Sequence, residues 1–188
     1  MSTPPAIQIV EVSPRDGLQN ESGFVETASK IKLIEHLIAM GARRIEVASF
    51  VNPRRVPQMA DGEAVIAGLP AAPGVRFIGL CLNERGVDRA IATLDGPRPL
   101  DEAGCVLVAS DTFGIVNQGQ SIADGITANA AMLAKAKAAG LFAQVTVSAA
   151  FGCPYEGPVP AARVIELARR MADAGAQEIA LADTIGVG

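Results

Sequence analysis

Three stretches of this 188-residue chain end in a similar phrase: Ala39-Met40-Gly41-Ala42, Ala138-Ala139-Gly140-Leu141 and Asp173-Ala174-Gly175-Ala176. Each closes a helix-periodic run and opens onto a β-rich run within a few residues. Gly just past a helix takes the left-handed conformation without a Cβ penalty, so the phrase reads as a helix stop before a strand. Extended along the chain, the alternation predicts strands over 7–12, 44–48, 75–80, 105–109, 142–148 and 178–182. Helices are predicted over 27–40, 61–69, near 84–94 and over 161–174, with one long Ala-rich helix ending before Gly140. In the first of them Ile31, Ile34, Leu37 and Ile38 share a face. A βα unit repeated about six times predicts an α/β fold with a parallel sheet and right-handed crossovers. Aromatics make up 4% of the chain and Trp is missing, so Ala, Val, Ile and Leu must build the core.

The polar residues choose between an open doubly wound sheet and a barrel. Arg15 and Asp16 follow the first predicted strand, and Glu46 and Ser49 lie on the second. Asn83, then Ser110 and Asp111, then Tyr155 and Glu156, then Asp183 and Thr184 follow the next four. Chemistry contributed by nearly every strand end is the (β/α)8 TIM-barrel arrangement, whereas an open sheet gathers it at one switch point. The Gly-rich phosphate fingerprints of nucleotide folds are missing from the sequence. A full barrel needs eight strands and about 250 residues. Residues 1–188 therefore read as a single, incomplete TIM-barrel domain holding about the first six βα units.

A net charge of −4 gives no basic footprint for nucleic acid or for a membrane surface. The start MSTPPAIQIVEVS lacks a signal or transit pattern, and no apolar run approaches the roughly 18 residues that span a bilayer. Cys81, Cys105 and Cys153 show no paired spacing, which argues against a disulfide framework and for a reducing, cytoplasmic location. The single histidine, His36, falls mid-helix and reads as a surface or packing residue, so neither Ser-His-Asp chemistry nor a His-rich metal site is expected.

Ser13-Pro14-Arg15-Asp16-Gly17-Leu18-Gln19-Asn20-Glu21 is the most informative stretch. Asp offers a hard oxygen ligand for a divalent cation, and Arg a fixed fork for a carboxylate or enolate oxygen. The same residues also fit a plain surface turn with an ion pair. Glu46, between Ile45 and Val47, needs a partner or a site to face; Arg43 or Arg44 would serve. Asp183 suits helix capping as well as chemistry. Asp16, Glu46 and Asp183 gathered at one mouth would repel each other unless a cation, Arg15 or a raised pKa offset the charge.

Four segments, in order and spacing, resemble the 3-hydroxy-3-methylglutaryl-CoA lyase family. They are Arg15-Asp16-Gly17-Leu18-Gln19-Asn20-Glu21 with its Ser-Pro lead; Ile45-Glu46-Val47-Ala48-Ser49-Phe50-Val51 with Val56-Pro57-Gln58-Met59; Gly152-Cys153-Pro154-Tyr155-Glu156-Gly157; and Ala182-Asp183-Thr184-Ile185-Gly186-Val187-Gly188. The resemblance implies a metal-dependent barrel that cleaves a branched 3-hydroxyacyl-CoA by retro-Claisen chemistry. It implies Asp16 as a ligand of Mg2+ or Mn2+, and Arg15, Glu46 and Asp183 as catalytic residues. Arg15, Gln19, Ser49, Tyr155 and Thr184 would bind substrate, and a homodimer is a further implication. The family's His-x-His pair and its Gly-Gly-Cys-Pro cysteine have no counterpart here, and Cys153, in an earlier segment, does not inherit that cysteine's role. The 188 residues alone are therefore expected to bind metal weakly and not to turn over. A Claisen-condensing synthase of the same superfamily, and a non-catalytic half-barrel that needs a partner chain, are the alternatives.

Overall fold

The computed structural model describes residues 7–188. Seven strands and six α-helices follow one another. The strands are β1 (Arg44–Ser49), β2 (Arg76–Cys81), β3 (Glu102–Val108), β4 (Phe142–Ser148), β5 (Gly152–Cys153), β6 (Gly157–Pro158) and β7 (Glu178–Leu181). The helices are α1 (Thr27–Ala39), α2 (Gly62–Ala67), α3 (Glu84–Ala92), α4 (Asp111–Gln118), α5 (Ile122–Ala138) and α6 (Ala161–Asp173). The main sheet is parallel, in the order β1-β2-β3-β4-β7. That order follows the chain without reversal, so there is no switch point of the doubly wound kind.

The sheet curls. Arg44, at the start of the first strand, donates from Nη1 to the Glu178 carboxylate at the start of the last, 2.7 Å away. Arg44 also reaches Glu102, and Gln144 points to the same carboxylate at 3.4 Å. These polar residues occupy one face at the N-terminal ends of the strands. The opposite face is apolar: Ile45, Val47, Phe77, Cys105, Leu107, Val145 and Val147 are buried in one core with Ile34, Val65, Val87, Met132, Leu133, Leu167 and Met171 of the helices. A curled parallel sheet with helices packed over its apolar outer face is the layering of a barrel wall.

Strands and helices after Thr27 fall close to their predicted places, with one strand that fails before them and one helix that was not foreseen. The strand over 7–12 is a single bridge, Glu11 to Ile45, with Glu11 N–H donating to Arg44 C=O and Glu46 N–H to Glu11 C=O. Ile7 and Ile9 are exposed, so the alternation there has no core to bury against. The long Ala-rich helix is present as α5, and a separate short helix that was not expected, α4, precedes it. Gly119 at φ 72° ends α4, and Ser121 opens α5 in a reciprocal capping box with Asp124. His36 is exposed, as expected. Met1 to Ala6 lie outside the described residues. Among the described residues no helix is long and apolar enough to cross a membrane.

Candidate active site

The C-terminal ends of β1 and β7 and the turn before α1 carry most of the predicted site residues. After Val12 the chain makes one π-helical turn, Ser13–Gly17, with Pro14 buried at its second position, still among the N–H groups that a helix start leaves unpaired. Proline tolerates that position because its missing N–H has no partner there anyway. The turn lays the Arg15 side chain across β1. Arg15 Nη1 donates to Asp16 Oδ1 at 2.7 Å, and Nε donates to Glu46 Oε1. Glu46 sits where the β1–β2 register slips by one residue, between Glu46 and Ala48. Neither neighbouring arginine serves it. Arg43 donates to the carbonyls of Ile38 and Ala42, and Arg44 is committed to Glu102 and Glu178.

Burial pushes the Glu46 carboxyl up; Arg15 pulls it down, Asp16 adds a further push, and the net direction is upward. Ser49 ends the same strand and is fully buried, yet its Oγ has no hydrogen-bond partner. Gln19 Oε1 is also buried and unpaired. A buried polar atom left without a partner costs about 1–3 kcal/mol. Ser49 lies on the same strand as Glu46, and Gln19 four residues after Arg15, so both unpartnered oxygens belong to the elements that carry the part-buried Arg15–Glu46 pair.

A second group lies around the ends of β4 and β7. Thr184 Oγ1 accepts from Ala149 N–H at 2.8 Å and pairs with Ser148 Oγ at 3.1 Å. Ala149 holds φ 55°, in the left-handed region. Asp183 accepts from Val187 N–H and Gly188 N–H, both at 2.9 Å, and these bonds hold its carboxyl below the usual range. Tyr155 is exposed, with its ring tilted against Phe113 at 6.1 Å. The Cys153 sulfur meets Ser110 Oγ at 2.9 Å and receives Tyr155 N–H and Glu156 N–H at 3.4 Å. Burial opposes the Cys153 thiolate, but these donors together bring the thiol below its ordinary value; burial pushes Cys105 up to about 12. Three of the strand-end polar residues are caps. Asn83 and Ser110 accept from N–H groups at the starts of α3 and α4, and the Asp111 carboxylate from Ile122 N–H.

Hydrogen bonds thus join Arg15, Asp16 and Glu46 in one cluster, and Thr184 with Ser148 in another, while Asp183 and Tyr155 bond or pack locally. One device escaped the sequence reading. Lys30 is buried, with Nζ 2.5 Å from Asp61 Oδ1 and 2.6 Å from the Gln58 carbonyl, over the Phe24 ring. Gln58 in turn donates to the Glu21 carbonyl at 2.9 Å. The signal was available, since Lys30 precedes Ile34 by one helical turn and shares its inward face.

The residues present do not by themselves fit a divalent cation. Asp16 offers carboxylate oxygen, but Arg15 occupies Oδ1, and among the described residues no three His, Cys, Asp or Glu side chains converge.

A sequentially ordered parallel sheet with its polar cluster at the C-terminal strand ends defines one portion of a (β/α)-barrel protein. The HMGL-like family model matches residues 6–188, and the chain belongs to that family. The mitochondrial hydroxymethylglutaryl-CoA lyase of Mus musculus is 42% identical over 98% of this chain and 55% of its own length. The 3-hydroxy-3-isohexenylglutaryl-CoA/hydroxymethylglutaryl-CoA lyase of Pseudomonas aeruginosa is 38% identical over 100% of this chain and 61% of its own. The solved structure of an HMG-CoA lyase from Acinetobacter baumannii, in complex with coenzyme A and 3-methylmalate, superposes with a TM-score of 0.91 at 34% identity, covering 100% of this chain and 60% of that one. The chain thus spans roughly three fifths of the length of these relatives.

Proposed function

We propose that this chain supplies the Arg15–Glu46 part of a carbon–carbon lyase site that cleaves 3-hydroxy-3-methylglutaryl-CoA, or a related branched 3-hydroxyacyl-CoA. The products are acetyl-CoA and acetoacetate, or the corresponding keto acid. The observation that carries the reading is the Arg15 fork, braced by Glu46 and Asp16, on elements that also hold the unpartnered Ser49 Oγ and Gln19 Oε1. The names of the relatives support the substrate class, and the Acinetobacter relative holds coenzyme A.

In a retro-Claisen cleavage the tertiary hydroxyl loses its proton and its oxygen becomes the ketone. The bonding pair of the broken C–C bond moves into the thioester enolate. Charge therefore grows on the thioester carbonyl oxygen. A guanidinium has five N–H donors, and the two bonds to Glu46 and Asp16 leave others for that oxygen. Glu46, with its raised pKa, is the better placed of the two catalytic acids to take the hydroxyl proton and return it to the enolate carbon. Asp183, held ionised by backbone N–H groups, is the weaker base. Ser49 and Gln19 gain partners when they bind the substrate's oxygens; Thr184 and Tyr155 belong to the same proposal as contacts further out. A divalent cation, Mg2+ or Mn2+, is part of the reading, with Asp16 as the ligand from this chain, and none of these steps runs through it. The three free cysteines fit the cytoplasmic location proposed with it.

The test is stoichiometric release of acetyl-CoA and keto acid from hydroxymethylglutaryl-CoA by the whole protein. Condensation of acetyl-CoA with an α-keto acid, or no cleavage at all, would overturn the reading.

A further inference from the structure

The loop after β1 carries a feature that the cleavage chemistry does not use. Asn52-Pro53-Arg54-Arg55 forms a tight turn. Asn52 C=O accepts from Arg55 N–H at 2.9 Å and Val56 N–H at 3.1 Å, and Asn52 Oδ1 accepts from Arg54 N–H at 2.9 Å. Pro53 fixes its own φ, so the turn is stiff. Both arginines are exposed, and among the described residues neither guanidinium pairs with an acid. Most other arginines here do pair: Arg15, Arg44, Arg76, Arg89, Arg98, Arg163 and Arg170 each meet a carboxylate.

The turn is anchored to the site. Three residues on, Gln58 bonds Glu21 and accepts from the buried Lys30, so the turn lies alongside the segment that carries Arg15. Two adjacent, unpaired guanidiniums on a stiff turn form a fork for phosphate oxygens. They follow the C-terminal end of β1, the strand that carries Glu46 and Ser49, in a chain whose net charge is −4. Local positive charge on an acidic protein marks where an anionic ligand part is received.

From this we infer that Arg54 and Arg55 bind the phosphates of the coenzyme A portion of the substrate, apart from the thioester end held near Arg15. The inference rests on the acyl-CoA reading and names the element that makes the site prefer CoA thioesters over shorter ones.

Two measurements on the whole protein test it. The first compares R54A/R55A with the unaltered protein on hydroxymethylglutaryl-CoA and on the matching pantetheine thioester, which has no 3′-phosphate or diphosphate. The expected result is about a tenfold rise in KM for the CoA thioester with little change in kcat, no comparable loss for the pantetheine thioester, and partial rescue by R54K/R55K. Equal loss on both thioesters, or none on either, would overturn the inference. The second is equilibrium binding of coenzyme A itself, which needs no cleavage. Weaker binding by R54A/R55A, converging with the unaltered protein as salt is raised, is expected. If coenzyme A binds through these arginines but nothing is cleaved, the reaction reading fails and this inference stands. If cleavage occurs and coenzyme A binds both proteins alike, this inference fails alone.

Discussion

Glu102 has no exposed surface, and Arg44 grips its carboxylate with three hydrogen bonds, at 2.9 and 3.1 Å from Nε and 2.6 Å from Nη2. Arg76 adds a contact at 3.0 Å, and Phe142 stacks under both guanidiniums at 5.7 and 4.5 Å. The strands that begin with these residues are thereby pinned at their N-terminal ends. Glu102→Ala leaves two guanidiniums with no buried partner and is expected to cost about 3–5 kcal/mol. Glu178→Ala removes a partner that is 38% exposed and is expected to cost about 1 kcal/mol or less. Urea unfolding of the two variants measures the contrast; equal losses would mean that the network is not organised around Glu102.

Glu46 gives the fold a pH signature. Its folded-state pKa lies above the ordinary 4.5, so the folded protein holds this proton more tightly than the unfolded chain does. Its contribution to stability is complete below the unfolded value and is lost as pH rises through the folded value. Glu46→Gln removes that limb. Unfolding midpoints followed upward from about pH 4 should fall more for the parent than for the variant. Parallel curves would show that Arg15 fully offsets the burial.

Arg15→Lys keeps the charge but loses the planar fork that meets Glu46 and Asp16 together. In the whole protein the turnover rate should drop about 10²–10³-fold, the size expected for losing one preorganised donor to a developing oxyanion. The circular dichroism spectrum should be unchanged. A variant that retains most of its turnover would remove Arg15 from the chemistry.

Ala149 and Thr184 form a strained pair. Left-handed backbone costs a non-glycine residue about 1–2 kcal/mol, and Gly returns about 0.5–1 kcal/mol of that in lost chain entropy. Ala149→Gly is therefore expected to be neutral or to raise Tm slightly, whereas Ala149→Val lowers it. Thr184→Val strips the Ala149 N–H of its acceptor and should cost about 1 kcal/mol. Thermal melts rank the three; a loss on Ala149→Gly would show that the methyl group packs more than the backbone strains.

Most of the wall was legible because each βα unit writes its own punctuation. Gly41, Gly140 and Gly175 all adopt positive φ, as the helix-ending phrase requires. The failures are non-local or stepwise. Ile7 and Ile9 alternate like a strand, but alternation states a face to bury and cannot supply the neighbour that buries it. Helix α4 is only eight residues long and ends at Gly119, just before the Ser121-x-x-Asp124 cap of α5, and so short an element carries little periodicity of its own. Within the site, Arg15 and Asp16 are adjacent in sequence and were found together. For Glu46 the sequence leaves Arg43, Arg44 and Arg15 all open as partners, because a contact across 31 residues depends on how the turn at Pro14 aims the chain. The Arg44–Glu102–Glu178 network spans 58 and 134 residues and left no local trace.

The Lys30–Asp61 bond has a mechanical consequence. It fastens the start of α1 to the segment before α2, and Thr27 adds a second rivet to the same carboxylate at 2.7 Å. The strip bearing Arg15 and Gln19 and the turn bearing Arg54 and Arg55 cannot then drift apart independently. Whatever steadies one of them, steadies the other, and the two ends of a long ligand would be gauged against a single rigid ruler.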